Sequence, residues 1–360
     1  MSNAIIWLAV TPTPYNNFLF LKLQEQFGKQ FHVYFASHGI ADAPWQSFQY
    51  KEGMVSFYNK ILGIDWHLIW YIIRNKHLFV IFSGWNDATK RLLILMLCLL
   101  GRRYVIWTDT PKNEKFKHKI RNIIIQPFIR KAIAIMGTGK LAVRVLQDMG
   151  VPNNKIVNFP YWVKLPDIIQ SANKRAKQPF RFTCIGRLVH YKGFDLAIRA
   201  FAALENNDNV RLDFIGTGHE ESPLKKLVSE LGINEKVRFL GFLEPKEIQS
   251  YLHNECHCLI HPARRLEPYG VVIVEAMGFG IPVIGSTQCG AVVDRIEHKK
   301  NGFILRSPFS ITELANYMSE LINNPQFYDS MGKAARHTSE LWPVERGIDI
   351  IKTLYLAKEA

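Results

Sequence analysis

The sequence predicts a doubly wound α/β protein in two domains, on three observations. Short β-branched and aromatic runs alternate with helix-period patterns along the whole chain, which is how a parallel sheet covered by helices reads. A chain of 360 residues that is 48% hydrophobic fills two cores, since one core stops growing at about 250–300 residues. A polar strip at 168–179, rich in Lys, Asn, Gln and Ser, breaks the alternation and reads as a linker.

Strands of the first domain (1–167) are expected at 5–10, 31–36, 79–83, 104–107, 132–136 and 155–158, each an apolar run bounded by polar or turn residues. Those of the second (180–342) are expected at 180–185, 210–215, 237–240, 257–260, 282–285 and 302–305. In open sheets of this kind ligands bind beyond the carboxyl ends of the strands, so the loops after Ile185, Ile215, Ile260 and Gly285 are expected to line one site. A last helical pattern at 343–360 is long for a domain already complete.

The start of the chain lacks the basic and apolar regions of a secretory signal, so a cytoplasmic protein is expected. The longest apolar run, 92–100, is half of what a bilayer span needs and lies between Arg91 and Arg102; it reads as a buried helix. Five cysteines, mostly in apolar runs, read as reduced thiols.

Charge is uneven. The net charge is +14, and residues 1–165 hold 21 Lys and Arg against 8 Asp and Glu. The excess concentrates at 112–131, where Lys112, Lys115, Lys117, Lys119, Arg121, Arg130 and Lys131 interleave with Phe116, Ile120, Ile123, Ile124, Ile125, Phe128 and Ile129. This basic amphipathic helix either packs one face on a sheet or meets anionic lipid, the preferred functional reading. No nucleic-acid motif accompanies it, so no nucleic-acid partner is expected.

Chemistry concentrates in the second domain. Glu267 and Glu275 stand eight residues apart across a loop-to-helix junction marked by Pro268 and Gly270. A helix start suits phosphate, and carboxylates accept from hydroxyl groups; phosphate beside a polyol describes a sugar nucleotide. Arg187 and Lys192 flank a strand-to-helix turn running from Gly186 to Gly193, a pair of cations suited to a pyrophosphate. Gly216-Thr217-Gly218 follows the next strand.

These motifs resemble the Glu-x7-Glu, Gly-Arg-Leu-x-x-x-Lys-Gly and Gly-x-Gly elements of retaining glycosyltransferases of family 4 (glycosyl transferases group 1), a likeness running through most of the second half of the chain. The resemblance implies the GT-B fold, two Rossmann-like domains facing across a central cleft, with the C-terminal helix crossing back onto the first domain. It implies that Gly186, Arg187, Lys192, Gly216, Glu267, Tyr269, Gly270, Val271 and Glu275 bind the donor. Glu275 takes the ribose, Glu267 the donor sugar or the charge developing near it, and Tyr269, Gly270 and Val271 present backbone amides. Ala291 and Asp294 depart from the family's Gly-Gly-x-x-Glu.

Neither a cofactor nor a metal is expected. Asp-x-Asp occurs nowhere in the chain, so Arg187 and Lys192 must carry the diphosphate charge. The rival zinc-type run His253, Cys256, His257, Cys258 and His261 lies on one strand and the helix end before it, without a second ligand pair.

On the acceptor side, Thr11 to Asn17 lacks the glycines of the family's acceptor loop, leaving Tyr15 and Asn16 to meet the acceptor. Asp109 follows a strand where many relatives carry a catalytic-site His; it is either a helix cap or a catalytic or acceptor-orienting group. The expected partners are a nucleotide-sugar donor, a carbohydrate or lipid-linked acceptor, and the inner face of the cytoplasmic membrane. Two alternatives are a sugar-nucleotide epimerase or hydrolase on the same fold, and a non-catalytic membrane adaptor with a vestigial donor pocket.

Overall fold

The computed structural model describes residues 5–38, 50, 53–111, 116–166, 179–205, 208–307 and 310–357, with the side chains of 116–119 and 121 left aside. The expected linker at 168–179, and Lys112 and Lys115 of the basic segment, fall almost wholly outside the described residues. The chain divides into two compact units, residues 1–163 with 343–360 and residues 164–342.

Unit 1 is built on seven parallel strands, β1 (Ile5–Ala9), β2 (Phe31–Phe35), β3 (Val55–Phe57), β4 (Phe79–Ser83), β5 (Tyr104–Thr108), β6 (Ala134–Gly137) and β7 (Ile156–Asn158), in the order β3-β2-β1-β4-β5-β6-β7. The central strand β1 is buried throughout, as a strand covered on both faces must be. Its Trp7 pairs in register with Val33 and Ile81, packs edge-on to Phe20 and Trp107, and donates from Nε1 to Ser83 Oγ at 2.9 Å.

The helices of this unit are α1 (Pro14–Phe27), α2 (Trp66–Arg74), α3 (Ala88–Leu99), α4 (Phe116–Lys131), α5 (Gly139–Asp148) and, from the far end of the chain, α13 (Val344–Leu356). Asp65 and Asp87 cap α2 and α3 by accepting from Leu68 N and Lys90 N. Helix α13 packs on α1, setting Tyr355 against Phe27 and Phe79, while Arg103 donates to the carbonyls of Leu354, Tyr355 and Ala357.

Two expectations for this unit need correcting. The apolar run at 92–100 is not a buried helix: Leu93, Ile94 and Leu97 are buried, but Leu95, Leu99 and Leu100 face solvent. Of the two alternatives for the basic helix, the one that packs its whole apolar side on the sheet does not hold, since Ile120, Ile123 and Ile124 of α4 are exposed and Ile129 alone among its described isoleucines is fully buried. Among the described residues no helix is long and apolar enough to cross a membrane.

Unit 2 carries six parallel strands, β8 (Phe180–Ile185), β9 (Val210–Ile215), β10 (Val237–Phe239), β11 (Cys258–His261), β12 (Val283–Ser286) and β13 (Gly302–Leu305), ordered β10-β9-β8-β11-β12-β13. Its helices are α6 (Phe194–Ala202), α7 (Glu221–Glu230), α8 (Pro245–Asn254), α9 (Val271–Gly278), α10 (Gly290–Arg295), α11 (Ile311–Asn323) and α12 (Pro325–Glu340). The strand order reverses between β8 and β11, and right-handed crossovers place α8 and α9 on one face and α6 and α7 on the other. The switch point falls where the loops after β8 and β11 diverge.

An ionic network centred on one buried carboxylate ties β9 to β10 and α8. Arg238 reaches both oxygens of fully buried Asp213 at 2.8 and 2.7 Å, Tyr251 Oη donates to the same carboxylate, and Arg238 also pairs with Glu255 at 2.8 Å. Asp213→Ala would take the acceptor from the buried Tyr251 hydroxyl and leave the half-exposed Arg238 with Glu255 alone. Unit 2 should lose about 3 kcal/mol of stability, read as a lower urea midpoint at unchanged slope.

Candidate functional site

The loop after β8 begins at Gly186, makes a short 3-10 turn at His190–Lys192, and enters α6 through left-handed Gly193. Two contacts brace it. Arg264 clamps Asp195 with both guanidinium nitrogens, the longer contact 2.6 Å, and the amide of Arg264 donates to Tyr191 O. The next loop lies directly on it: a Cβ at Gly216 would stand 2.1 Å from Gly186 O, and one at Gly218 would stand 2.2 Å from Leu188 O. The space these glycines leave is taken by neighbouring backbone, which fixes the shape of the Gly186–Lys192 loop.

Lys192 turns inward beneath Gly186, where a Cβ would sit 3.5 Å from its Nζ. Buried, it reaches Glu267 Oε1 at 2.5 Å. Glu267 Oε2 meets His261 Nε2 at 2.7 Å, His261 being the last residue of β11. Burial works against the charge on Glu267, but the His261 ring and the Lys192 ammonium override it and hold the carboxyl well below the usual carboxylate range.

The segment from Glu267 to α9 is sewn to the β12–α10 connection. Glu267 N donates to Gln288 O, Gly290 N to Glu267 O, and Ala291 N to Tyr269 O. Gly270 must be glycine twice over: its φ is +86°, and a Cβ would lie 2.6 Å from Cys289 Sγ. Tyr269 is fully buried, its hydroxyl donating to Asp294 Oδ2 and accepting from Arg295 Nε, each at 3.1 Å. Asp294, a departure from the family pattern, thus anchors the loop through a side chain. Val271 opens α9, and the amides of its first turn point out of the helix start.

Glu275 lies in the second turn of α9 and, among the described residues, pairs with no cation. Burial alone raises its pKa to about 7. It borders a cavity of about 370 Å³ between α8 and α9, with Lys164, Lys246, Gln249, Ser250 and His253. It is therefore not a solvated surface charge.

The structure brings Lys192, Glu267, Gly186 and Gly270 together and separates Arg187, an exposed residue whose guanidinium donates to its own loop's Tyr191 Oη at 2.9 Å. Two contributors escaped the sequence reading of this site. His261 was visible only as part of a zinc-type run, and Cys289 as a buried thiol. The run itself is pulled apart: His257 Nδ1 accepts from Arg181 N, Cys256 and Cys258 are buried, and His253 borders the cavity. His261, Glu267 and Cys289 do bring ligand-type atoms within 4.8 Å of one another, but the Lys192 ammonium already occupies the carboxylate and repels a cation there.

In unit 1, Asp109 closes β5 and its Oδ1 accepts from Tyr161 Oη at 3.0 Å. The Tyr15 ring meets Tyr161 edge-on at 4.7 Å, and Trp107 flanks Tyr161 from the other side. Desolvation by the surrounding protein raises the Asp109 carboxyl above its ordinary value against the pull of hydrogen bonds from Tyr161 and Thr138, although the residue itself is exposed. Without glycines, the segment after β1 runs into the first turn of α1, where Thr13 accepts from Asn16 N at 3.4 Å. Tyr15 and Asn16 are thus helix residues, and Asn16 Oδ1 is buried without a hydrogen-bond partner among the described residues. The bond between Tyr161 and Asp109 spans 52 positions of the sequence, so no local pattern announces it.

The chain is similar to known proteins. The family described as glycosyl transferases group 1 matches residues 167–338. An uncharacterized glycosyltransferase of Haemophilus influenzae is 30% identical over 263 residues, covering 71% of this chain and 70% of that one. The amylovoran biosynthesis glycosyltransferase AmsK of Erwinia amylovora is 30% identical over 238 residues, 63% of this chain, which spans only 57% of AmsK. Among solved structures, Anabaena HepE in complex with UDP superposes with a TM-score of 0.78 over 97% of this chain and 98% of that one at 18% identity, a likeness of fold: two Rossmann-like domains of the GT-B class. The chain belongs to the glycosyl transferases group 1 family.

Proposed function

We propose that the protein is a retaining, metal-independent glycosyltransferase that moves a sugar from a nucleotide-diphosphate sugar to an acceptor hydroxyl in bacterial surface polysaccharide or lipopolysaccharide synthesis. The observation that carries this reading is the buried Lys192–Glu267–His261 cluster at the start of α9. A fixed ammonium beside free helix amides suits a leaving diphosphate, and a carboxylate kept ionised suits the positive charge that develops at the anomeric carbon. AmsK, named for amylovoran biosynthesis, supports the polysaccharide setting, and HepE, solved with UDP, supports a nucleotide donor.

The roles divide as follows. Lys192, joined by Arg187 once the exposed guanidinium swings onto the phosphates, carries diphosphate charge that a metal ion carries in other enzymes. Glu267 is too acidic to act as a general base, so the leaving phosphate oxygen takes the acceptor proton in a front-face attack. Glu275 accepts from ribose hydroxyls, and the amides of Gly270 and Val271 meet the diphosphate. Tyr15, Asn16 and Asp109 hold the acceptor, a carbohydrate or a lipid-linked saccharide. The basic helix α4 keeps the enzyme on the inner face of the cytoplasmic membrane.

The reading is tested by the anomeric configuration of the product and by chelation. Proton NMR of the first product should show the donor's own anomeric configuration, and EDTA should leave the rate within about twofold; an inverted product or loss of activity to EDTA overturns the mechanism. A donor consumed at full rate without acceptor would assign the site to an epimerase or hydrolase instead.

A further inference from the structure

We propose that α2, α3 and α4 together form one apolar, cation-edged face of unit 1 that seats on an anionic lipid bilayer, with Trp66 and Trp70 entering the boundary between headgroups and acyl chains. The inference deepens the membrane reading above, which invoked the charge of α4 alone.

The three helices follow successive rightward crossovers, so they lie side by side on one face of the sheet, and α3 touches both neighbours. A helix that packs one side on a sheet normally turns charge to water on the other. These three do the reverse. The outward stripe of α2 is Trp66, Trp70 and Arg74, with the tryptophans 51% and 54% exposed. That of α3 is Arg91, Leu95 and Leu99, Leu99 being 76% exposed. On α4 it is Ile120, Ile123 and Ile124, the last two 69% and 65% exposed, followed by Arg130 and Lys131. The turn before α2 adds Ile61 and Leu62, both exposed.

Helix α5, laid on the same sheet face by the next crossover, is the internal contrast: Lys140, Arg144, Gln147 and Asp148 point outward. The apolar stripes are thus a property of three helices and not of the whole face. Exposed apolar ground this extensive marks an interaction surface, and its charge selects the occupant. Within α2, α3 and α4 there are eight Lys and Arg, of which Lys90 alone among the described side chains is buried, and no Asp or Glu, a bias that an anionic bilayer complements and that a protein partner of mixed charge does not. Tryptophan suits the interfacial layer, where the ring is apolar and the indole N–H is solvated. Arg74, stacked on Trp70 with its guanidinium carbon 4.5 Å from the ring centre, places a cation at headgroup depth beside it.

The test is co-sedimentation of the intact protein with phosphatidylcholine vesicles, with and without phosphatidylglycerol, at low and high salt. The expected result is retention on anionic vesicles that weakens but persists when salt screens charge, and at least tenfold lower retention at both salts for Trp66→Ser/Trp70→Ser. That variant should melt and bind nucleotide sugars as wild type does. Complete release of wild type by salt, or wild-type retention of the double variant, overturns the apolar face while leaving the charge of α4 as the tether. Failure to bind any vesicle overturns both readings. A dimer in solution that the double variant converts to monomer gives the face to a second copy of the chain and overturns the lipid assignment.

Discussion

Lys192→Met is expected to lower kcat/KM on the order of 10²- to 10³-fold, the cost of removing one preorganised charge from a leaving group. The same change strands a carboxylate. Glu267 is shielded from water and, among the described residues, has only His261 as a second side-chain partner, so stability at neutral pH should fall by about 3 kcal/mol. In the wild type the carboxyl is held below its unfolded value of about 4.3, so its contribution is fully present above that pH and is lost as pH falls through the folded value. With Lys192 gone that window moves up. The gap between the urea midpoints of variant and wild type should therefore be wider at pH 7.5 than at pH 5, the difference cancelling every other titrating group. Lys192→Arg should not restore activity, because a planar guanidinium does not fit the space beneath Gly186 as an ammonium does.

Glu275→Gln should stabilise the unliganded protein and cripple donor binding. A carboxyl raised by burial to about 7 takes up its proton more readily in the folded than in the unfolded chain, so the wild type loses stability as pH rises from about 4.3 to about 7. The loss is on the order of 2–3 kcal/mol once partial solvent access is allowed for. Glutamine removes the titration, so the variant should be more stable by that amount at pH 8 and equal to wild type at pH 4.5, read by urea titration. Ribose hydroxyls donate best to the ionised form. Donor affinity of the wild type should therefore rise with pH around 7, and the variant should bind at least tenfold more weakly with no such dependence. A site whose empty form is destabilised by the group that binds its ligand is a familiar compromise of function over stability.

Much of the fold was legible in the sequence because parallel strands buried on both faces are written as uninterrupted apolar runs. Strand β3 was not, being three residues long and only half covered at the sheet edge. The donor loops were legible because their residues are neighbours in sequence, as Glu267 and Glu275 are. What makes them a site is not local: Lys192 meets Glu267 across 75 positions, and Cys289 lies under Gly270 only because β12 pairs with β11. Apolar periodicity told that α3 and α4 are helices but not which side meets the sheet. The outward Leu99 was consequently read as buried, and for Ile123 packing on the sheet and contact with lipid both stood open.

In the proposed function the Lys192–Glu267 end of α9 binds a nucleoside-diphosphate sugar. Melting of wild type and Lys192→Met with UDP-, GDP-, dTDP- and ADP-sugars tests it most directly. One base should stabilise the wild type by about 2.7 kcal/mol at 100 times its dissociation constant, with most of that shift lost in the variant. Equal shifts in both proteins, or no shift from any of the four, would contradict it.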